Sequence, residues 1–228
     1  IIVIDHHRRS EDFVGNPILV YVETSASSTC ELAAEFLPYQ TNTVQLSEIE
    51  ATFMYLGILV DTNRFRQRTG SRTFEAAAYL KNHGVDPLKA ENMLKEDYRS
   101  FAAKTNIMKY ASMYKDNMII AAVDERYQMS RTLMSQVADS LLEIKGIEAS
   151  FVLAKTDAES VAASSRSKGV INVQRIMEMM HGGGHFGAAA LQRKNTSVEA
   201  VKKELQETID AYLEEIKEEN TDESDSVK

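Results

Sequence analysis

Ile1-Ile2-Val3-Ile4-Asp5-His6-His7 opens the chain and decides how the rest of it is read. Four apolar, mostly β-branched residues run straight into an acid and two histidines. A buried strand of a parallel sheet reads this way, and its carboxyl end is where open α/β sheets place their sites. Carboxylate and imidazole groups side by side suit a divalent metal. A strand that merely ends in a polar turn would look the same over three residues.

Outward from this strand, Arg8 and Arg9 lead into a polar loop, and Ile18–Val22 reads as a second short strand. Ser28-Thr29-Cys30-Glu31 and Ser47-Glu48-Ile49-Glu50 each have capping-box spacing and open two helices. The second carries Ile49, Phe53, Leu56 and Val60 on one face and stops at Asp61-Thr62-Asn63-Arg64-Phe65. A basic loop, Arg64 to Arg72, precedes a helix from about Thr73 to Asn82 that Gly84 ends. Asp86-Pro87 restarts a long helix with Leu94, Tyr98, Phe101 and Met108 as its apolar stripe, ending near Tyr114. The domain boundary is expected along its later turns, giving domains at 1–108 and 109–228.

The second half opens with a strand at Met118–Val123, and a helix follows Ser130 with Leu133, Val137, Leu141 and Ile144 on one face. Ser150–Lys155 and Val161–Ser165 form a hairpin pattern. A helix from Val173 to Met180 runs into His181-Gly182-Gly183-Gly184-His185, and a last helix after Ser197 repeats Val198, Val201, Leu205, Ile209, Tyr212 and Ile216 at helical spacing. His83, in Asn82-His83-Gly84, is an ordinary helix end where the dipole favours a histidine.

The 228 residues are 43% hydrophobic and 26% charged, as in a soluble globular protein of one or two domains. No apolar run approaches the roughly 20 residues of a membrane helix, and no signal peptide is recognisable. The single cysteine, Cys30, excludes an internal disulfide framework and thiolate zinc sites, and fits a reducing, cytoplasmic setting. A net charge of −8 argues against long nucleic acids, although much of it sits in an acidic end from Glu214 to Asp225 read as a solvated tail. A small anionic ligand stays possible. The chain opens mid-strand on Ile1, which is expected of a piece of something longer.

Four places gather polar groups at element ends. Asp5-His6-His7 is one. Asp61 is the second; a carboxylate at a helix C-terminus calls for a facing cation, either Arg64, which the sequence favours, or a metal. The third is Ser164-Ser165-Arg166-Ser167-Lys168-Gly169, whose hydroxyls and guanidinium suit a phosphate but would equally make a polar turn. The fourth is Gly182-Gly183-Gly184-His185. One glycine would end a helix; three let backbone N–H groups converge on an anion, with His185 adding a hydrogen bond.

Taken in this order, the motifs resemble the DHH phosphoesterases with a DHH-associated C-terminal domain. Ile4-Asp5-His6-His7-Arg8 resembles the motif that names the family, and Gly57-Ile58-Leu59-Val60-Asp61-Thr62-Asn63-Arg64-Phe65 is similar to its following acidic motif. Ser165-Arg166-Ser167 and Gly182-Gly183-Gly184-His185 match the two signatures of the associated domain. Arg8-Arg9 and the run from Asp61 to Arg72 look most similar to the cyclic-di-AMP phosphodiesterases of the GdpP type, which are membrane-anchored by segments upstream of the DHH part.

The resemblance implies an α/β fold: a truncated parallel-sheet domain, its N-terminal part missing, then a smaller mixed-sheet α/β domain, with the site in the cleft between them. It implies hydrolysis of cyclic-di-AMP to the linear dinucleotide by a hydroxide between two metal ions about 3.5–4 Å apart, usually Mn2+. His6 and Asp61 would ligate one metal, with Asp5 and His7 beside the metals or the phosphate. Ser165, Arg166, Gly182, Gly183, Gly184 and His185 would hold the substrate. The family completes its site with an earlier His-x-x-x-Asp-x-Asp motif and a further Asp that this chain lacks, so the chain alone is expected to hydrolyse little. A homodimer is possible, and no membrane contact by this part is expected. The same family also degrades short RNA oligonucleotides and dephosphorylates 3′-phosphoadenosine 5′-phosphate. A rival of another class is a non-catalytic nucleic-acid-binding module, since the associated domain also occurs in alanyl-tRNA synthetases.

Overall fold

The computed structural model describes residues 1–7, 14–40 and 45–226, with side chains to residue 218. Arg8, Arg9 and the acidic side chains from Glu219 onward lie outside the described residues. Two compact units divide the chain, Ile1–Glu96 and Asp97–Lys228.

In the first unit, β1 (Ile2–Asp5) and β2 (Leu19–Val22) pair in parallel, with Ile2 opposite Leu19 and Asp5 opposite Val22. Helix α1 (Thr29–Phe36) starts at Ser28, whose hydroxyl accepts the Glu31 N–H at 3.0 Å. The reciprocal half of that predicted capping box is not made. Glu31 is buried, and its carboxylate accepts instead from the Ser27 N–H and hydroxyl. The second box, on α2 (Glu48–Asp61), is complete: Ser47 Oγ accepts from Glu50 N–H at 3.3 Å, and Glu50 Oε2 accepts from Ser47 N–H at 2.9 Å.

Helix α2 turns a different face inward from the one its spacing suggested. Ile49, Phe53 and Val60 are exposed, and of that stripe only Leu56 is buried, beside Ala51, Tyr55, Ile58 and Leu59. Apolar residues ring most of α2, so packing chooses the buried side. Gly57 helps to choose it, because a Cβ there would lie 2.3 Å from Cys30 Sγ on α1. The core of this unit is completed by Ala76 and Leu80 of α3 (Ser71–Asn82), Val85, and Ala90 of α4 (Pro87–Met93).

The long helix expected after Asp86 is two helices. Asp97 caps a new one, α5 (Tyr98–Met108), by accepting from the N–H groups of Arg99 at 2.9 Å and Ser100 at 3.1 Å. The division of the chain therefore falls before α5, whose Ile107 joins the second unit's core.

That unit adds β3 (Ala111–Tyr114), β4 (Met118–Ala122), α6 (Arg131–Leu142), β5 (Ala149–Lys155), β6 (Ser160–Ser167), α7 (Val173–Met179), β7 (Gly183–His185), β8 (Ala188–Lys194) and α8 (Val198–Ser226). Its six strands are ordered β3-β4-β5-β6-β8-β7. Only β4 and β5 run parallel, joined through α6; the other pairs are antiparallel. One face packs Ile119, Ala121, Val152 and Ala162 against Met134, Val137 and Leu141 of α6. The other packs Phe151, Leu153, Val161 and Leu191 against α7 and the Val201, Leu205, Ile209 and Tyr212 stripe of α8. Strand β7 is Gly-Gly-His and β8 opens on three alanines, residues of low strand propensity, and only sheet pairing reveals them. No helix among the described residues is long and apolar enough to cross a membrane.

Candidate functional site

Strand β1 ends at Asp5, and the next two residues turn their donors back onto it. Asp5 Oδ1 accepts from the N–H groups of His6 at 2.7 Å and His7 at 3.1 Å, and meets His7 Nδ1 at 2.8 Å. The His7 imidazole, then the N–H groups, hold the Asp5 carboxyl below its usual range, so it stays ionised. Facing a carboxylate, which only accepts, His7 Nδ1 is the donating ring nitrogen of this pair. The rings of His6 and His7 meet edge to face with centroids 4.1 Å apart. Ligand atoms of Asp5, His6 and His7 all lie within 4.8 Å of one another, a grouping able to hold a metal ion.

Asp61, the last residue of α2, comes to the same place. Its Oδ2 lies 3.6 Å from Nε2 of the buried His6. Arg64, the cation that the sequence favoured for Asp61, bonds Glu91 instead through Nε at 2.9 Å. The chain after Asp61 makes this possible by reversing sharply: Asn63, Arg64 and Phe65 all have φ between 46° and 59°. Three consecutive left-handed residues without a glycine are costly, roughly 1–2 kcal/mol each. The buried Thr62 supports the turn, donating from its hydroxyl to the Ile58 carbonyl at 2.6 Å and accepting the Phe65 N–H at 2.9 Å. Phe65 is then anchored between Tyr55 and Phe74. The His6 imidazole and the Asp61 carboxylate, held too far apart to saturate one another, are a set that fits a divalent metal ion.

In the second unit the Ser164–Arg166 stretch lies at the end of β6, and alternation splits it between faces. Ser165 is fully buried, with its hydroxyl donating to the Ala189 carbonyl at 2.8 Å on the α7 and α8 side. Ser164 and Arg166 lie on the α6 side. Arg166 Nε is held by Asp139 at 2.8 Å and Nη1 by the Ser165 carbonyl at 2.9 Å. Its Nη2 has no partner among the described residues, which leaves one edge of the guanidinium for an anion.

The glycine run does its work against β8. Helix α7 closes at His181, whose φ is 58°, with the His181 N–H on the Glu178 carbonyl at 2.9 Å and the Gly182 N–H on that of Met177 at 2.7 Å. The helix thus ends on a histidine, and the glycines are needed elsewhere. A Cβ at Gly182 would lie 2.5 Å from the Ala190 carbonyl oxygen, and one at Gly184, where φ is +150°, 2.5 Å from that of Ala188. Gly183 meets nothing within 4 Å. His185, exposed, ends up opposite Ala188, which is itself opposite Arg166. Sheet pairing thereby sets the two motifs of this unit on β6 and β7, one on either side of β8. Asp139, Arg131 and Gln192 share this side of the sheet and carried no motif that could have flagged them.

Residues 1–58 match the DHH family, N-terminal domain, and residues 115–215 match the DHHA1 domain. The cyclic-di-AMP phosphodiesterase PdeA of Listeria monocytogenes is 44% identical over 212 residues, 93% of this chain and 32% of that protein. The cyclic-di-AMP phosphodiesterase GdpP of Bacillus subtilis is 45% identical over 216 residues, 94% of this chain and 33% of that protein. The chain therefore spans about a third of the length of these relatives. A crystal structure of an exopolyphosphatase-related protein from Bacteroides fragilis has the same fold, with a TM-score of 0.78 and 23% identity over 92% of this chain and 63% of that one.

Proposed function

The chain belongs to the DHH family and carries a DHHA1 domain behind the DHH part, and from this we propose that it serves a metal-dependent phosphodiesterase opening cyclic-di-AMP to the linear dinucleotide. The observation that carries the reading is the approach of His6 Nε2 to Asp61 Oδ2, 3.6 Å apart, at a strand end that also presents Asp5 and His7. Relatives of that name at 44% and 45% identity supply the substrate.

His6 and Asp61 would hold one ion, manganese being the first choice. Bound divalent ions would neutralise charge on the phosphodiester and make water acidic enough to attack near neutral pH. Asp5 keeps the His7 proton on Nδ1, so that His7 Nε2 can accept a proton or a ligand. In the hydrolysis the oxygen of water forms the new bond to phosphorus and the P–O3′ bond breaks, leaving a 5′-phosphate and a 3′-hydroxyl. In the DHHA1 domain, Arg166 through its open edge and His185 would bind phosphate oxygens and keep the dinucleotide in place. Ser164 is the hydroxyl on their side of the sheet, whereas Ser165 and the glycines act by shaping the strands.

The family's His-x-x-x-Asp-x-Asp ligands do not occur in this sequence. By itself the 228-residue chain should therefore turn over slowly, and a polypeptide extended upstream should be active. The test is product analysis with manganese on cyclic-di-AMP, linear diadenylate and 3′-phosphoadenosine 5′-phosphate. Preference for cyclic-di-AMP with loss of activity in EDTA is expected. Preference for 3′-phosphoadenosine 5′-phosphate, or activity that survives the chelator, would overturn the reading.

A further inference from the structure

Helix α6 packs on one face of the six-stranded sheet over β4, β5 and β6, and leaves Ala190 and Gln192 of β8 exposed on that same face. Residues directly opposite in antiparallel strands share a face, which sets out three rows. Arg166, Ala188 and His185 form the first; Ser164, Ala190 and Gly183 the second; Ala162 and Gln192 the third. Helix α6 runs along their side as a wall. Its Asp139 bonds Arg166 at 2.8 Å, its Ser135 meets Ser164 Oγ at 3.2 Å, and its Arg131 bonds Gln192.

A cavity of about 340 Å³ lies over the second and third rows, lined by Met134, Ser135, Ser164, Gly182 and Ala190 and closed at one end by Arg131 and Gln192. That volume is within the range of small-ligand sites. The other end of the same face is the Arg166 and His185 row. From Ala188 to Gln192 the strand advances roughly 13 Å, the reach of a nucleotide from its phosphate to the far edge of its base. The floor between is low because β8 and β7 place only Ala190 and Gly183 there, with the short Ser164 beside them on β6. A ring can lie on it with Met134 alongside.

The polar end is oriented. Arginine only donates hydrogen bonds, so the Gln192 amide must turn its oxygen to Arg131 and its NH2 group away, as the Arg131–Gln192 bond shows. The NH2 donors then face a ring-nitrogen acceptor, and the Ser135–Ser164 hydroxyl pair offers an acceptor for an exocyclic amine. We infer that this trough is a subsite for one purine nucleotide unit, phosphate at Arg166 and His185, base over Ala190 and Gly183, ring nitrogen on the Gln192 amide. A pyrimidine, one ring shorter, stops short of Gln192. The inference rests on the nucleotide reading above and adds Gln192 and Arg131 as the residues that recognise the base.

Calorimetric titration of the full-length polypeptide with adenosine 5′-monophosphate, cytidine 5′-monophosphate and ribose 5-phosphate tests it. The purine nucleotide should bind about tenfold more tightly than the other two, the size of one amide hydrogen bond in a desolvated site. Gln192→Leu should bring it down to the level of ribose 5-phosphate and leave ribose 5-phosphate unchanged. Arg166→Ala should weaken all three. Ala190→Leu, which fills the floor without touching Gln192, should act like Gln192→Leu and guards against a folding artefact in either. Equal binding of adenosine 5′-monophosphate by wild type and both trough variants would overturn the subsite while leaving hydrolysis of cyclic-di-AMP untouched. Gln192-dependent binding in a protein that does not hydrolyse cyclic-di-AMP would keep the subsite and overturn the phosphodiesterase reading.

Discussion

His6 Nε2 stands 3.6 Å from Asp61 Oδ2, so the end of the first strand and the end of the second helix present their side chains to one point. The pair is too long for a good hydrogen bond, and a shared cation between the two groups would satisfy both.

Replacing either His6 or Asp61 by Ala should lower manganese affinity by more than the roughly 10–100-fold that losing a supporting partner costs. Isothermal titration with manganese, on variants whose circular dichroism matches wild type, measures this. Undiminished binding by both variants would remove them from the ligand set.

Arg64→Ala should do little by comparison. Its guanidinium pairs with Glu91 across a surface where the two side chains are 42% and 38% exposed, a setting worth at most about 1 kcal/mol. Manganese affinity should also be unchanged. A large loss of metal binding in this variant would mean that Arg64 helps to hold the metal site in place, contrary to its pairing with Glu91 alone.

The glycines separate into structural and spare positions. Gly184→Ala puts a Cβ 2.5 Å from the Ala188 carbonyl oxygen at a φ of +150°, and should cost about 1–3 kcal/mol or more of stability in urea unfolding. Gly183→Ala meets nothing within 4 Å and should stay within about 0.5–1 kcal/mol of wild type. Equal effects at the two sites would contradict the pairing of β7 with β8.

Tyr114 ties β3 to α8, its hydroxyl donating to Asp210 Oδ1 at 2.8 Å and to the Gln206 carbonyl at 3.1 Å. Burial first, then the Asp210 carboxylate, push its pKa up to about 12 from an ordinary 10.0. The native state therefore holds this proton more tightly than the unfolded chain does. The stability it contributes is present below pH 10 and is lost as pH rises toward 12. Tyr114→Phe should cost about 1 kcal/mol at pH 8, and the gap between variant and wild type should narrow by pH 11. A gap that widens instead would reverse the assignment.

Much of the secondary structure was legible because it is written locally. The apolar run ending in Asp5-His6-His7, the Ser47–Glu50 capping box, the hairpin around Asp157 and the stripe of α8 each follow from neighbours a few positions apart. The helix break at Asp97 was equally local but hidden inside an unbroken apolar stripe, and the cap won over the stripe. The four constellations of polar groups were visible for the same reason, as runs of residue types.

What tertiary structure alone decided is which of those groups face one another. A helix apolar on most sides does not say which side is buried, and packing at Gly57 and Ala51 turned Ile49 and Phe53 outward. A strand does not say which of two adjacent serines faces the helices behind it; pairing with β8 buried Ser165 against the Ala189 carbonyl and left Ser164 beside Arg166. Gln192 and Arg131 have no motif, and only the order of strands brings them together. Sequence by itself determined that the opening strand ends in a group of side chains able to hold a metal ion, because carboxylate and imidazole chemistry is a property of residues. That Asp61 is its partner and Arg64 is not was decided by the left-handed turn after α2, because direction in space is a property of the folded chain.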